Sequence, residues 1–141
     1  MKHKYISTQS NELLFYFNDK GKVCFDSKTA LKAVPNAMAT CLENSGIEIS
    51  QVKKILIHQA NEKMDEAILQ RFYKLYKLSV PEGIMPMSIH RLGNSSVATI
   101  PTLYDLLIKG EIENQSLNKG DIVMFASVGA GMNINAMVYQ M

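Results

Sequence analysis

The stretch Ile55-Leu56-Ile57-His58-Gln59-Ala60-Asn61 is an apolar run that ends on a histidine and opens directly into a helical pattern. A short apolar run bounded by polar residues reads as a buried strand. Residues 62–77 then repeat apolar side chains at Met64, Ile68, Phe72 and Leu75, a helical spacing. A strand that turns straight into a helix puts His58 at the strand's carboxyl end. In open α/β sheets that edge leaves a crevice where ligands bind. A lone histidine there has two readings, a ring satisfied by neighbouring backbone or a ring that faces a ligand, and the rest of the chain decides between them.

Upstream, residues 1–11 are polar, and Leu13 to Phe17 is a short apolar run closed by Asn18-Asp19-Lys20-Gly21. That cluster is a turn signal, consistent with a strand-turn-strand into Lys22 to Phe25. Residues 1–20 are otherwise a poorly defined N-terminal segment, and residues 21–141 read as one domain. Ser27 is placed to cap a helix with apolar positions at Ala30, Val34, Ala37, Met38 and Cys41, which Ser45-Gly46 stops and Pro35 should kink.

Downstream of the His58 helix, Pro81 and Pro86 bracket a loop before a short extended run at Met87 to Ile89. Arg91-Leu92-Gly93-Asn94-Ser95-Ser96 is a second strand-to-helix turn, continued by Val97, Ile100, Leu103, Tyr104 and Leu107 as an amphipathic helix up to Gly110. Ile122 to Ser127 is the most strand-like run in the chain and ends in Gly129-Ala130-Gly131. Ile134, Ala136 and Val138 then alternate with Asn133, Asn135 and Tyr139, as in a strand with one wetter face. The order is β-α-β-α-β-α-β-β. The expected fold is α/β, with a mixed, mainly parallel sheet carrying helices on its faces and an antiparallel last pair.

At 141 residues the chain has room for a single buried core, and its 47% hydrophobic and 20% charged content are ordinary for a globular protein. A net charge of +2 is too small to argue for nucleic acid. Cys24 and Cys41 form neither a metal-ligand spacing nor a disulfide framework, and no carboxylate pair or metal cluster stands out. No run reaches the roughly 18 apolar residues of a membrane span and no secretory pattern is present, so the expected location is cytoplasmic.

Three loops thus share one sheet edge and carry His58, Asn94 and the amides of Gly129 to Gly131. A neutral imidazole, a side-chain amide and a glycine-rich backbone turn are suited to donate hydrogen bonds to a carbonyl oxygen that becomes an oxyanion. On helix 62–77, Lys63, Arg71, Lys74 and Lys77 fall within one face, opposite Met64, Ile68, Phe72 and Leu75. A solvated face is the plain reading of that stripe.

His58-Gln59-Ala60-Asn61, followed by Gly93-Asn94-Ser95-Ser96 and by Gly129-Ala130-Gly131 near the chain end, resembles the C-terminal half of a β-ketoacyl-acyl-carrier-protein synthase III, one of the thiolase-like condensing enzymes. The resemblance runs from about Gly21 to Met141. It implies a thiolase-like domain over 21–141 and an acyltransferase that joins an acyl thioester to malonyl carrier protein by decarboxylative Claisen condensation in fatty acid biosynthesis. His58 and Asn94 inherit the catalytic role of binding the extender's thioester carbonyl and stabilising its enolate. Asn61 stands where the family contacts the pantetheine arm. Ala130 supplies an oxyanion-hole backbone amide, at a position where glycine is usual. Lys63, where arginine is common, implies docking of an acidic acyl carrier protein, with Arg71 and Lys74 on the same face.

No cofactor or metal is implied; coenzyme A and carrier-protein thioesters are substrates, and a homodimer is expected. The family's nucleophilic cysteine lies in an N-terminal half that this chain does not contain, and neither Cys24 nor Cys41 has a matching context. The chain is therefore read as a C-terminal domain that needs the N-terminal thiolase-like half and is inactive alone. The alternatives are a related thiolase-like acyltransferase of secondary metabolism and a non-catalytic thioester- or carrier-binding module.

Overall fold

The computed structural model describes residues 5–11, 15–17, 23–25, 27–129 and 133–141. Strand β4 (Val52–Ile57) is packed on both faces. Its residues alternate between two cores, as a pleated strand requires. Ile55 and Ile57 join helices α1 (Ser27–Ser45) and α2 (Glu62–Leu75) on one face. Leu56 joins Leu103 and Leu107 of helix α4 (Thr99–Ile108) on the other. Burial on both faces is why this strand reads as a continuous apolar run rather than an alternating one. Lys54, on the side of Leu56, is 8% exposed and donates from Nζ to Gly83 O at 2.6 Å and to Gln115 Oε1. Desolvation, with the charge of Lys53 adding to it, lowers its pKa.

The four-stranded sheet has the order β1-β6-β5-β4, with β1 Tyr5–Asn11, β5 Ile122–Gly129 and β6 Asn133–Gln140. β4 and β5 are parallel, while β5–β6 and β1–β6 are antiparallel. A separate antiparallel pair, β2 (Phe15–Phe17) and β3 (Val23–Phe25), places Tyr16 opposite Cys24. The Asn18–Gly21 turn lies outside the described residues.

The α/β class is as expected, but the sheet is less parallel than the sequence implied: among the described residues one of its three pairings is parallel. Two things account for this. Tyr5–Asn11, where the sequence offered no element, forms an antiparallel edge strand on β6, with Tyr5 opposite Tyr139 and Asn11 opposite Asn133. The run Met87–Ile89, read as a strand, is not one. Pro86 has no N–H to give to a ladder, the amides of Ser88 and Ile89 donate to the Gln59 side chain, and Ile89–Leu92 turns into a short helix, α3. One ladder-like bond remains along the outer edge of β4, from Ile55 N to Ile84 O at 2.9 Å.

Helix α1 continues through Pro35 as one helix and buries Ala30, Ala33, Val34, Ala37, Met38, Cys41 and Leu42, a stripe of three- and four-residue spacing. Its stop is built by Ser45, whose hydroxyl donates to Leu42 O at 2.7 Å and accepts from Ile47 N, and by Gly46 at φ 67°.

Two expected apolar positions are exposed. On α2 the buried set is Asp65, Ile68, Leu69, Phe72 and Tyr73, and Leu75 lies 52% exposed at the helix end. Val97 is 90% exposed, because a 3₁₀ turn at Ser96–Ala98 precedes α4 and turns it away from the core. On the α4 side the sheet is only partly covered. Ile100, Pro101 and Tyr104 of α4 face Phe125, Ser127, Asn135 and Met137 across an open apolar cavity of about 350 Å³.

Candidate functional site

His58 follows β4 immediately, and its backbone N–H extends the β4–β5 pairing by one bond, to Ala126 O at 3.0 Å. The ladder thus fixes the imidazole at the carboxyl edge, half-buried. Nδ1 of the ring lies 3.0 Å from Ser96 O. A carbonyl oxygen only accepts, so Nδ1 carries the hydrogen and the neutral ring has its lone pair on Nε2. This differs from the expected neutral donor facing a ligand. Nε2 becomes a donor when the ring takes up a second proton.

Asn94 comes from the other turn. Gly93, at φ 66°, closes α3 by donating from its N–H to Ile89 O at 2.8 Å, a conformation that favours glycine. Asn94 Oδ1 then accepts from Ser96 N at 2.9 Å. This bond fixes the carboxamide, since only the oxygen can accept from an N–H, and it leaves the NH₂ group of an exposed side chain to donate outward. Ser96 therefore holds both expected catalytic residues, Asn94 through its N–H and His58 through its carbonyl. It does so at φ 52°, in the left-handed region that L side chains rarely adopt.

Of the glycine turn, Gly129 ends β5, while Ala130 and Gly131, and with them the expected oxyanion-hole amide, lie outside the described residues. Asn61 is the N-cap of α2, its Oδ1 accepting from Met64 N at 3.2 Å. Its amide NH₂ stays free to donate from an exposed position at the same edge.

Lys63, Arg71 and Lys74 are all exposed on α2. Arg71 and Lys74 line a groove between α1 and α2 with Leu31, Lys32, Pro35, Asn36 and Leu75, and Arg71 Nη1 donates to Leu31 O at 3.3 Å. Lys63 stands eight residues earlier, roughly 12 Å along the helix at 1.5 Å per residue, beside Asn61 and outside that groove. The basic surface is therefore two patches. The second gains Lys32 from α1, a residue that helical periodicity on α2 alone could not reveal.

Two other residues escaped the sequence reading. Gln59, within the His58 motif, is wholly buried and bonds four groups of residues 86–89. Asp65, one helical turn after Asn61, is also wholly buried, and among the described residues neither carboxylate oxygen makes a hydrogen bond of full geometry, the Asn61 backbone N–H interacting only weakly with it. Desolvation, against the opposing pull of the Asn61 backbone N–H and with smaller contributions from the negative charges of Glu62 and Glu66, pushes its pKa up to about 7. Among the described residues no group of His, Cys, Asp and Glu is arranged to hold a metal ion, and no helix is long and apolar enough to cross a membrane.

Known proteins share this framework. The chain is 34% identical over 111 residues to the β-ketoacyl-[acyl-carrier-protein] synthase III of Pyropia yezoensis, covering 79% of this chain and 31% of that protein. It is 26% identical over 123 residues to the enzyme of the same name from Latilactobacillus sakei, covering 87% and 34%. The chain thus spans about a third of the length of the curated relatives it matches. Two solved structures of 3-oxoacyl-[acyl-carrier-protein] synthase III superpose on it. That from Aquifex aeolicus gives a TM-score of 0.70 at 20% identity, over 96% of this chain and 43% of the other. That from Thermus thermophilus gives 0.71 at 21% identity, over 97% and 45%. At these identities the superpositions show the fold. The family model described as 3-oxoacyl-[acyl-carrier-protein (ACP)] synthase III C terminal matches residues 42–141, from the end of α1 through both histidine and asparagine turns to the last strand, and the chain belongs to that family.

Proposed function

We propose that this chain is the C-terminal half of an acyltransferase of the 3-oxoacyl-carrier-protein synthase III type, which condenses an acyl thioester with malonyl carrier protein. The observation that carries the reading is the shared attachment of His58 and Asn94 to Ser96 at the carboxyl edge of the sheet. The Asn94 NH₂ and a protonated His58 Nε2 would both donate to the thioester carbonyl oxygen of the malonyl group. As the carbon–carbon bond to the carboxylate breaks, CO₂ leaves and the electron pair moves into an enolate, whose oxygen those two donors stabilise. The enolate carbon then attacks the acyl group held as a thioester on a cysteine, the new carbon–carbon bond forms, and the cysteine sulfur leaves as thiolate. Donors fixed before the charge develops need little reorganisation, which is where most of such a rate gain arises.

The cysteine belongs to an N-terminal thiolase-like portion, for which the incompletely covered α4 side of the sheet offers a face. Asn61 would contact the pantetheine arm and Ala130 N–H a developing oxyanion. Lys63, with Arg71 and Lys74, would meet the acidic carrier protein. The reading includes a cytoplasmic homodimer, with coenzyme A and carrier thioesters as substrates and no further cofactor.

The test is CO₂ release from malonyl-coenzyme A by this chain assembled with its cysteine-bearing portion. His58→Ala and Asn94→Ala should each lower the rate by roughly 10²–10³-fold, while acylation of the cysteine by acyl-coenzyme A persists. Unchanged CO₂ release in both variants would sink the proposal.

A further inference from the structure

Gln59 is 0% exposed, yet among the described residues its side chain makes no bond to the adjoining β4 or α2. All four of its hydrogen bonds go to one segment 27–30 residues away. Nε2 donates to Pro86 O at 2.8 Å; Oε1 accepts from Ser88 N at 2.8 Å, from Ile89 N at 3.0 Å and from Ser88 Oγ at 3.3 Å. Ser88, held in this way, carries α3 in turn, since Ser88 O accepts from Arg91 N at 2.9 Å and Leu92 N at 2.8 Å. Gly93 N then bonds Ile89 O, and Asn94 follows. From Asn94 the path runs through Ser96 N and Ser96 O back to His58 Nδ1, and His58 is bonded covalently to Gln59.

We infer that Gln59 is a positioning residue that closes this ring and so fixes both the spacing of His58 and Asn94 and the nitrogen of His58 that carries the hydrogen. The inference rests on the reading of His58 and Asn94 as the working pair. The physical case is one of substitution. A strand at 86–89 would hold this edge by backbone bonds, but Pro86 lacks an N–H and the segment turns into α3. A carboxamide supplies the missing donor and acceptor from one buried side chain, at the residue adjoining the histidine. A glutamate there would lose the donation to Pro86 O and bury a charge, and an apolar residue would leave Ser88 N, Ile89 N and Pro86 O without their partner.

The ring is read without catalysis, by nitrogen NMR of the histidine-labelled chain in alkaline buffer, with His3→Gln and His90→Gln identifying the His58 signals. The wild-type ring should carry its hydrogen on Nδ1. In Gln59→Met the ratio of the Nδ1–H to the Nε2–H form should fall about fivefold or more, the worth of one net hydrogen bond. Leu107→Ala, a cavity in the opposite core, should lower the melting temperature and leave the ratio unchanged, which separates positioning from general loss of stability. Should Gln59→Met not fold, Gln59→Glu should shift the ratio in the same direction. An unchanged ratio in the folded Gln59 variant, or an equal shift in Leu107→Ala, overturns the inference. These outcomes stand apart from the condensation reading, which could fail while the ring holds.

Discussion

The carbonyl of Ser96 reaches Nδ1 of His58, 3.0 Å away, from a backbone held at φ 52°. A non-glycine residue in the left-handed region costs about 1–2 kcal/mol, so the turn stores strain at the point where it fixes the imidazole. Strain of this kind persists where surrounding bonds over-determine the conformation, and here the bond from Ser96 N to Asn94 Oδ1 supplies one of them.

Ser96→Gly should relieve that strain and leave the melting temperature unchanged or slightly higher. Ser96→Val puts a β-branched side chain at the same φ and should cost about 1–3 kcal/mol. Thermal unfolding of the two variants side by side decides the matter, and equal melting temperatures would show that the turn is not strained as described.

Asp65 sets the pH dependence. Burial raises its folded-state pKa from 3.8 to about 7, so the folded protein holds this proton more tightly than the unfolded chain. Below the unfolded value both states are protonated and the burial carries no charge. As pH rises from 3.8 toward 7 the unfolded state ionises first, and stability falls until the folded carboxyl also ionises; above that the loss is constant, on the order of 2 kcal/mol or more. Asp65→Asn should therefore raise the urea midpoint at pH 8 and change it little at pH 4. A gain that is the same at both pH values would rule out this carboxyl as the cause.

The parts that were legible in the sequence are those where one residue's chemistry or one element's period is enough. The run from Ile55 to Asn61 announced a buried strand that opens into a helix, and both are present. The stripe of α1 and the alternation of β6 followed from periodicity alone. What was not legible depends on partners distant in sequence. Tyr5–Asn11 carries few apolar residues and becomes a strand because β6, more than 120 residues on, offers an edge. Ser96 shows no sign of a positive φ, since serine has no preference for it. Gln59 shows no role in the sequence, because its four bonds depend on where residues 86–89 fold back. Leu75 and Val97 fit a helical period, yet lie at ends where the elements turn away from the core.

Carrier docking should depend on both basic patches. Lys32, Arg71 and Lys74 come from two helices and line one groove, so their charges add in the field an acidic partner meets on approach. Charge reversal of this trio, and separately of Lys63, should slow association with acyl carrier protein by about tenfold or more at low salt, with the difference shrinking as ionic strength rises. Use of coenzyme A thioesters by the assembled enzyme should change far less, because coenzyme A presents no extended acidic surface. Stopped-flow association rates across a salt series are the measurement; equal losses with carrier and coenzyme A would argue against docking at these patches.

Cys41 should not become acylated. It lies fully buried in α1, fifteenth of the helix's nineteen residues. A reactive thiol needs its thiolate form, which a helix N-terminus or a nearby positive charge favours and which burial opposes. Cys41 sits toward the carboxyl end of the helix, where the dipole repels negative charge, and it is buried within the main hydrophobic cluster. Cys24→Ser leaves Cys41 as the single cysteine of the chain. That variant, incubated with acyl-coenzyme A, should keep its intact mass, and a thiol-specific reagent should label it at the rate of unfolding rather than of encounter. A stoichiometric acyl adduct would place a nucleophile within this chain and remove the need for a separate cysteine-bearing portion.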